Sequence, residues 1–223
     1  PGRRALAGRG GGVRRLVRVS AGGVSASAPS LYLRSKAAGE KVLAEAGLDL
    51  TVLRPSVIFG AHDRLLNLFA TLQAVAPFVP LAGADPRYPP VWGDDVAAAI
   101  VRCLDDASTI GKTYECAGPD VFTLRQLVQA AGRWAGRPRP VIGLPGGLAT
   151  LQAMLMELLP GEPLMSRDNL ASMSVPNVAS GTLPGLEALG IRPTALAAVA
   201  PLYLARGQGP ARLDAWRARA RRT

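Results

Sequence analysis

The segment Leu31-Tyr32-Leu33-Arg34-Ser35-Lys36-Ala37-Ala38-Gly39-Glu40-Lys41-Val42-Leu43-Ala44-Glu45-Ala46-Gly47 decides the fold. It lies between Arg15-Leu16-Val17-Arg18-Val19-Ser20 and Leu50-Thr51-Val52-Leu53-Arg54-Pro55. Its residues are strong helix formers. Ser30 before them is a residue type whose hydroxyl accepts from the free amides of a first turn, and Gly47 after them suits the left-handed turn that ends a helix. The spacing predicts a helix from Leu31 to about Ala46. The flanking segments read as short apolar strands, the first opening through Ala28-Pro29-Ser30 into the helix and the second closed by Pro55. Strand, helix, strand with near-continuous apolar strands implies a parallel sheet covered on both faces.

Outward from this unit the pattern repeats. A helix is predicted near Leu65 to Val75. A strand-to-helix step follows at Val91-Trp92-Gly93-Asp94-Asp95, with Asp95 as an N-cap before Val96 to Leu104. Thr113-Tyr114-Glu115-Cys116 reads as a strand, and Thr123-Leu124-Arg125-Gln126 has the form of a capping box opening a helix to about Ala135. Arg139 to Leu144 reads as one more short strand. After Pro145 the character changes to helices over Leu148 to Leu159, Leu164 to Met173 and Thr194 to Arg206. The fold class is therefore α/β, with residues 1–140 as a parallel-sheet domain and residues 141–223 as a mainly helical region ending in a basic tail.

Composition narrows the classes of function. The 223 residues are 48% hydrophobic, enough for a sizeable core, and disorder or a disulfide mini-protein is excluded. The formal charge of +10 is carried by the ends: residues 1–18 hold six Arg and no acid, and residues 206–223 hold six Arg and one Asp. The body between them is nearly neutral, so no basic stripe for nucleic acid is expected. No apolar run approaches the ~20 residues of a spanning helix, and the chain reads as soluble and intracellular. Cys103 and Cys116 lack metal-ligand spacing and His62 is the single histidine, so no metal site is expected.

Tyr32 and Lys36 stand four apart and share one face of the predicted helix. A phenol is a poor proton carrier at neutral pH, and a neighbouring ammonium stabilises the phenolate and lowers its pKa toward the working range. Ser20, at the mouth of the preceding strand, is placed to hydrogen-bond a carbonyl oxygen that the tyrosine would protonate. On spacing alone such a pair is common on solvated helix faces. The context of Ser20 before it and Arg54-Pro55-Ser56-Val57-Ile58-Phe59-Gly60 after it makes the set informative.

Strand, Ser, Y-x-x-x-K helix and a strand running into R-P-S-x-I-F-G resemble the short-chain dehydrogenase/reductase superfamily, in its extended or atypical branch near the NAD-dependent epimerase/dehydratases. Tyr32 to Val42, Pro55 to Asp63 with Arg64 to Ala70, and Pro90-Val91-Trp92 with Asp95-Val96 look like the NAD(P)H-binding accessory subunits of respiratory complex I (alpha subcomplex subunit 9 type) and their bacterial relatives. Ser166-Arg167-Asp168-Asn169-Leu170 and Ser172-Met173 are similar to their C-terminal part. The resemblance covers roughly residues 13–204.

The resemblance implies a Rossmann-like fold and NADP(H) or NAD(H) as the bound nucleotide. It implies Tyr32 as the acid/base position, Lys36 as the residue that tunes it and holds the nicotinamide ribose, and Ser20 as the third member. Pro55, Ser56 and Val57 would form the turn whose backbone faces the nicotinamide carboxamide; outside this context they read as a strand terminator and turn cap. In those accessory subunits the nucleotide is taken as structural, which implies a membrane respiratory complex as partner and a cytoplasmic or inner-membrane peripheral location. The alternatives are a free-standing NAD(P)-dependent oxidoreductase or epimerase acting on a carbonyl or hydroxyl substrate, and a nucleotide-sensing binding module. Enzyme activity is left open.

The chain departs from that pattern at its start. A dinucleotide fold opens with strand, Gly-rich turn and helix, whose amides receive the pyrophosphate. Gly8-Arg9-Gly10-Gly11-Gly12 follows no apolar strand and reads as a flexible end. The sequence is therefore expected to be the C-terminal part of the domain, with the Gly-rich half missing.

Overall fold

The computed structural model describes residues 12–158, 165–175 and 177–205. Gly8 to Gly11, the basic tail from Arg206, and the ends of two expected helices at Leu159 and Leu164 lie outside them.

A parallel three-stranded sheet forms the frame, from β1 (Arg15–Val19), β2 (Asp49–Pro55) and β7 (Thr113–Cys116) in the order β1-β2-β7. Leu16 lies opposite Leu50, Val19 opposite Leu53, and Pro55 opposite Cys116. The central strand alternates its side chains between faces with period two. Leu50 and Val52 pack with Leu43 of α1 (Leu31–Ala44), while Leu53 packs with Val96, Ala99 and Cys103 of α3 (Gly93–Asp105). Burial on both faces explains the near-continuous apolar run of β2, broken by the buried Thr51, each such leucine contributing about 2 kcal/mol.

A third cluster lies beside the sheet. It joins Leu66 and Phe69 of α2 (Arg64–Val75), Leu127 and Val128 of α4 (Leu124–Trp134), and Leu196, Ala200 and Leu204 of α7 (Leu196–Leu204). Four short strands lie between β2 and α3: β3 (Ile58–Phe59), β4 (Val79–Leu81), β5 (Arg87–Tyr88) and β6 (Val91–Trp92). Together with β8 (Phe122–Thr123) and β9 (Val141–Gly143) they form two-stranded pairs, parallel for β3 with β6 and β4 with β9, antiparallel for β5 with β8. Past residue 140 the chain adds β9, α5 (Gly146–Glu157), α6 (Arg167–Met173) and α7. Among the described residues no helix is long and apolar enough to cross a membrane.

The helix ends follow local chemistry. The Ser30 hydroxyl accepts from Leu33 N, Asp63 caps α2 through Leu66 N, and Thr123 with Gln126 closes a full capping box on α4. Gly47 takes a positive φ of 63° two residues beyond the α1 C-cap. Asp95 is the exception. The helix starts at Gly93 with Trp92 at the N-cap and no side-chain bond there. The Asp95 carboxylate instead accepts from Thr194 N at 2.7 Å and Thr194 Oγ1 at 3.1 Å, tying the segment before α7 to α3. A long-range partner outweighed the local cap.

Candidate functional site

The carboxyl ends of β1 and β2 open into a cleft of ≈ 730 Å³. In parallel α/β sheets ligands gather at this end of the strands. Ser20 follows β1 and donates its amide to Leu53 O at 2.7 Å, which fixes it against β2. Pro55 ends β2 and buries its ring. Ser20, Tyr32, Lys36, Pro55, Ser56 and Val57 all line this one cleft.

The turn at residues 55–57 is bound internally through its backbone. Pro55 O accepts from Gly22 N at 2.9 Å, Ser56 N donates to Cys116 O at 3.0 Å, and Val57 O accepts from Val91 N at 2.9 Å. What the turn leaves unspent is the hydroxyl of Ser56. Its Oγ and that of Ser20 are buried and have no hydrogen-bond partner among the described residues. Ser20 as a residue is only 4% exposed. A buried hydroxyl left without a partner costs roughly 1–3 kcal/mol, so these two on one cleft wall are groups that a bound hydrogen-bonding partner would relieve.

Tyr32 lies in the first turn of α1 and Lys36 one turn later, as their spacing requires. The ammonium sits over the phenol ring, 5.5 Å from its centroid, as a cation–π pair. Burial pushes the Tyr32 phenol above its ordinary value of 10.0, and no charge offsets it. This differs from the lowering expected of a neighbouring ammonium: Lys36 is not among the causes of the shift, and burial sets its direction. Tyr32 is a neutral donor in this arrangement.

A second wall comes from α6 and the residues after it, through Asp168, Asn169, Ser172, Met173, Val175 and Asn177. The Asp168 carboxylate accepts from Leu31 N at 2.6 Å and Tyr32 N at 3.1 Å. It thus caps the helix that carries Tyr32, alongside Ser30, and its charge suits the positive end of that helix. Nothing in the spacing of residues 141–205 signals this contact, since its partners lie 136 and 137 residues away. Behind the cleft, Arg54 of β2 grips Glu40 of α1 with Nε–Oε1 3.1 Å and Nη2–Oε2 2.6 Å. That hydrogen bond raises the Arg54 pKa further and fixes α1 against the sheet.

Known proteins resemble the chain in sequence and in fold. No family model matches the chain. It is 45% identical over 121 residues to the mitochondrial NADH dehydrogenase (ubiquinone) 1 alpha subcomplex subunit 9 of Arabidopsis thaliana, a match covering 53% of this chain and 30% of that protein. It is 35% identical over 187 residues to the same subunit of Mus musculus, covering 83% of this chain and 49% of that protein. The chain spans about half the length of the latter, and less of the former. Among solved structures, an Escherichia coli NADPH-dependent quinone oxidoreductase complexed with NADPH superposes with a TM-score of 0.66 at 23% identity, covering 87% of this chain and 67% of that one. A Thermus thermophilus UDP-glucose 4-epimerase in complex with NAD gives 0.58 at 20% identity, covering 92% and 68%. The resemblance to the complex I accessory subunits is borne out, and the fold is that of the Rossmann-like epimerases and reductases.

Proposed function

We propose that this chain supplies the nicotinamide-facing part of a site for NADH or NADPH, in a protein of the alpha subcomplex subunit 9 kind that holds the nucleotide without turning it over. The observation that carries the reading is the pair of buried, unpartnered hydroxyls of Ser20 and Ser56, on the wall of the cleft that also holds Tyr32 and Lys36. A carboxamide, with two donors and an acceptor, is a group able to satisfy both.

In this reading Ser20 and Ser56 orient the carboxamide, and Pro55 and Val57 form the apolar side of its slot. Lys36 is the cation for the ribose hydroxyls, and Tyr32 donates its phenolic hydrogen beside them. A bound nicotinamide would supply hydride chemistry. A Tyr32 phenol pushed above 10.0 and an ammonium directed at its ring are poorly set for moving a proton at neutral pH, which favours retention over turnover. In the whole protein the partner would be a membrane respiratory complex at the inner membrane, tested by co-migration of the full-length chain with that complex.

The test on the chain itself is a fluorescence titration with NADPH and with reduced nicotinamide riboside. Both should bind alike, on the order of millimolar, because no Gly-rich helix terminus lines this cleft to receive the pyrophosphate. Ser56→Val and Lys36→Ala should each weaken binding several-fold. Variants that bind as tightly as the parent would end this reading.

A second reading is favoured by the meeting of Ser20, Tyr32 and Lys36 in one cleft: an oxidoreductase or epimerase with Tyr32 as its acid/base. In a full-length protein with measurable turnover, Tyr32→Phe should then abolish activity and leave nucleotide binding intact. Unchanged turnover removes that reading.

A further inference from the structure

We infer that an apolar cavity between α2, β4 and α5 binds the alkyl chain of a soluble anionic amphiphile, of the medium-chain carboxylate class, with Arg137 and Arg139 as the cations for its head group. The cavity measures ≈ 140 Å³ and shares no lining residue with the cleft of Ser20 and Tyr32. Phe69 and Leu72 line it from α2, Val79 and Leu81 from β4, and Met156 from α5. Gln152 is the single polar side chain in the lining, and none is charged.

Size and polarity set the tail. An apolar cavity of about 150 Å³ stays dry and takes up a molecule the size of benzene, because a water there lacks the two to four polar partners it needs. About six carbons of a chain therefore fit, and a sugar or nucleotide does not. Phe78, also in the lining, is 47% exposed. A ring so exposed gains apolar contact from a chain that passes it on the way out.

Charge sets the head. Arg137 Nη1 donates to Ala74 O at 3.3 Å and Arg139 Nε donates to Gln73 O at 3.2 Å, which holds both guanidinium groups at the C-terminal end of α2, beside Ala76 of the lining. Capping those carbonyls uses part of each fork and leaves its other donors for an anion. Both residues are exposed, and neither forms an ion pair among the described residues. The elements that line the cavity carry one carboxylate, Glu157, and Arg167 already holds it. One cavity and two adjacent cations match one chain with one anionic head.

The experiment is an NMR titration of the 223-residue chain with butanoate, hexanoate, octanoate and decanoate below their micelle concentrations, alongside octanol and octylammonium. Affinity should rise roughly four-fold per methylene while carbons enter the cavity, then level once about six are buried. Octanoate should bind about two- to five-fold tighter than octanol for each exposed charge pair formed, and octylammonium weakest of the three. Leu72→Trp, which fills the cavity, should cut octanoate affinity roughly ten-fold. Met156→Phe, on a different element, is the second variant should the first fail to fold. Arg137→Gln should bring octanoate toward octanol and leave octanol itself unchanged. A flat chain-length series, equal binding by the parent and a folded cavity variant, or a preference for octylammonium overturns the inference. So does capture of the chain by phosphatidylcholine–phosphatidylserine vesicles through Leu72 and Arg137 with no binding of monomeric octanoate, which would assign this surface to a membrane instead.

Discussion

Asp168 accepts a hydrogen bond from the backbone amide of Tyr32 across 136 residues of sequence, so the helix bearing the Tyr32–Lys36 pair is capped from the far wall of its own cleft. The same wall is held by Glu157, which accepts from the amide and guanidinium of Arg167, and by Met173, which packs against the core cluster. Asp168→Ala should therefore act as loss of a cap, costing about 1 kcal/mol in urea unfolding. Asp168→Asn retains an acceptor and should recover part of it. An unchanged unfolding midpoint for Asp168→Ala would show that Ser30 alone holds the terminus.

The Arg54–Glu40 pair makes a sharper prediction. Their side chains are 26% and 13% exposed, and two hydrogen bonds join them. Removing one partner leaves the other charge half-buried and unmatched, at roughly 2–3 kcal/mol. Glu40→Gln and Arg54→Met should each destabilise by about that much, while the double variant should cost less than their sum. Arg54→Lys should rescue poorly, because an ammonium cannot reproduce the forked contact. Additive losses in thermal or urea unfolding would show that the pair is not coupled.

How much of this was legible depended on the range of the forces involved. The β1–α1–β2 unit could be read to within about two residues because strand apolarity, the Ser30 cap and the Gly47 stop are local signals. The β3, β4, β5 and β8 strands are two or three residues long, too short to show a period, and are held by partners such as Val141 and Thr123 far along the chain. The cap expected at Asp95 failed for the same reason, its oxygens being taken by Thr194. In the cleft, Ser20, Tyr32, Lys36 and Pro55 to Val57 could be picked out by spacing around one supersecondary unit. Asp168, Asn169, Ser172 and Asn177 could not, since only the folded path of the chain brings that wall across.

Gly132 in α4 faces the amide of Gln73, which is fully buried in α2 and donates to Val128 O at 2.8 Å while accepting from Arg139 N at 3.1 Å. A Cβ at Gly132 would strike that amide, which has nowhere to turn without losing both bonds. Helix propensity alone would make Gly132→Ala stabilising by about 1 kcal/mol. Overpacking should reverse the sign, giving a net loss of roughly 1–2 kcal/mol by calorimetry or urea unfolding. A higher melting temperature would show that the two helices part to admit the methyl group.

Alkaline pH should unfold the protein through its buried acids. Burial lifts the Cys116 thiol from 9.0 to about 12 and the Tyr88 phenol from 10.0 to about 12. Each group is protonated in the folded chain over a range where the unfolded chain has already released its proton. The folded state then binds more protons, so stability falls as pH rises. The contribution of Cys116 is fully present below pH 9.0 and is lost progressively as pH rises toward about 12; that of Tyr88 begins to fall near 10.0. Urea midpoints measured from neutral to strongly alkaline pH should hold level and then drop, with the onset set by the thiol. Cys116→Ala should delay that onset toward the tyrosine range, whereas Cys103→Ala, whose thiol is also raised by burial but is eased by Thr109 and Arg15, should delay it less. Coincident curves for the parent and Cys116→Ala would place the alkaline weakness elsewhere in the fold.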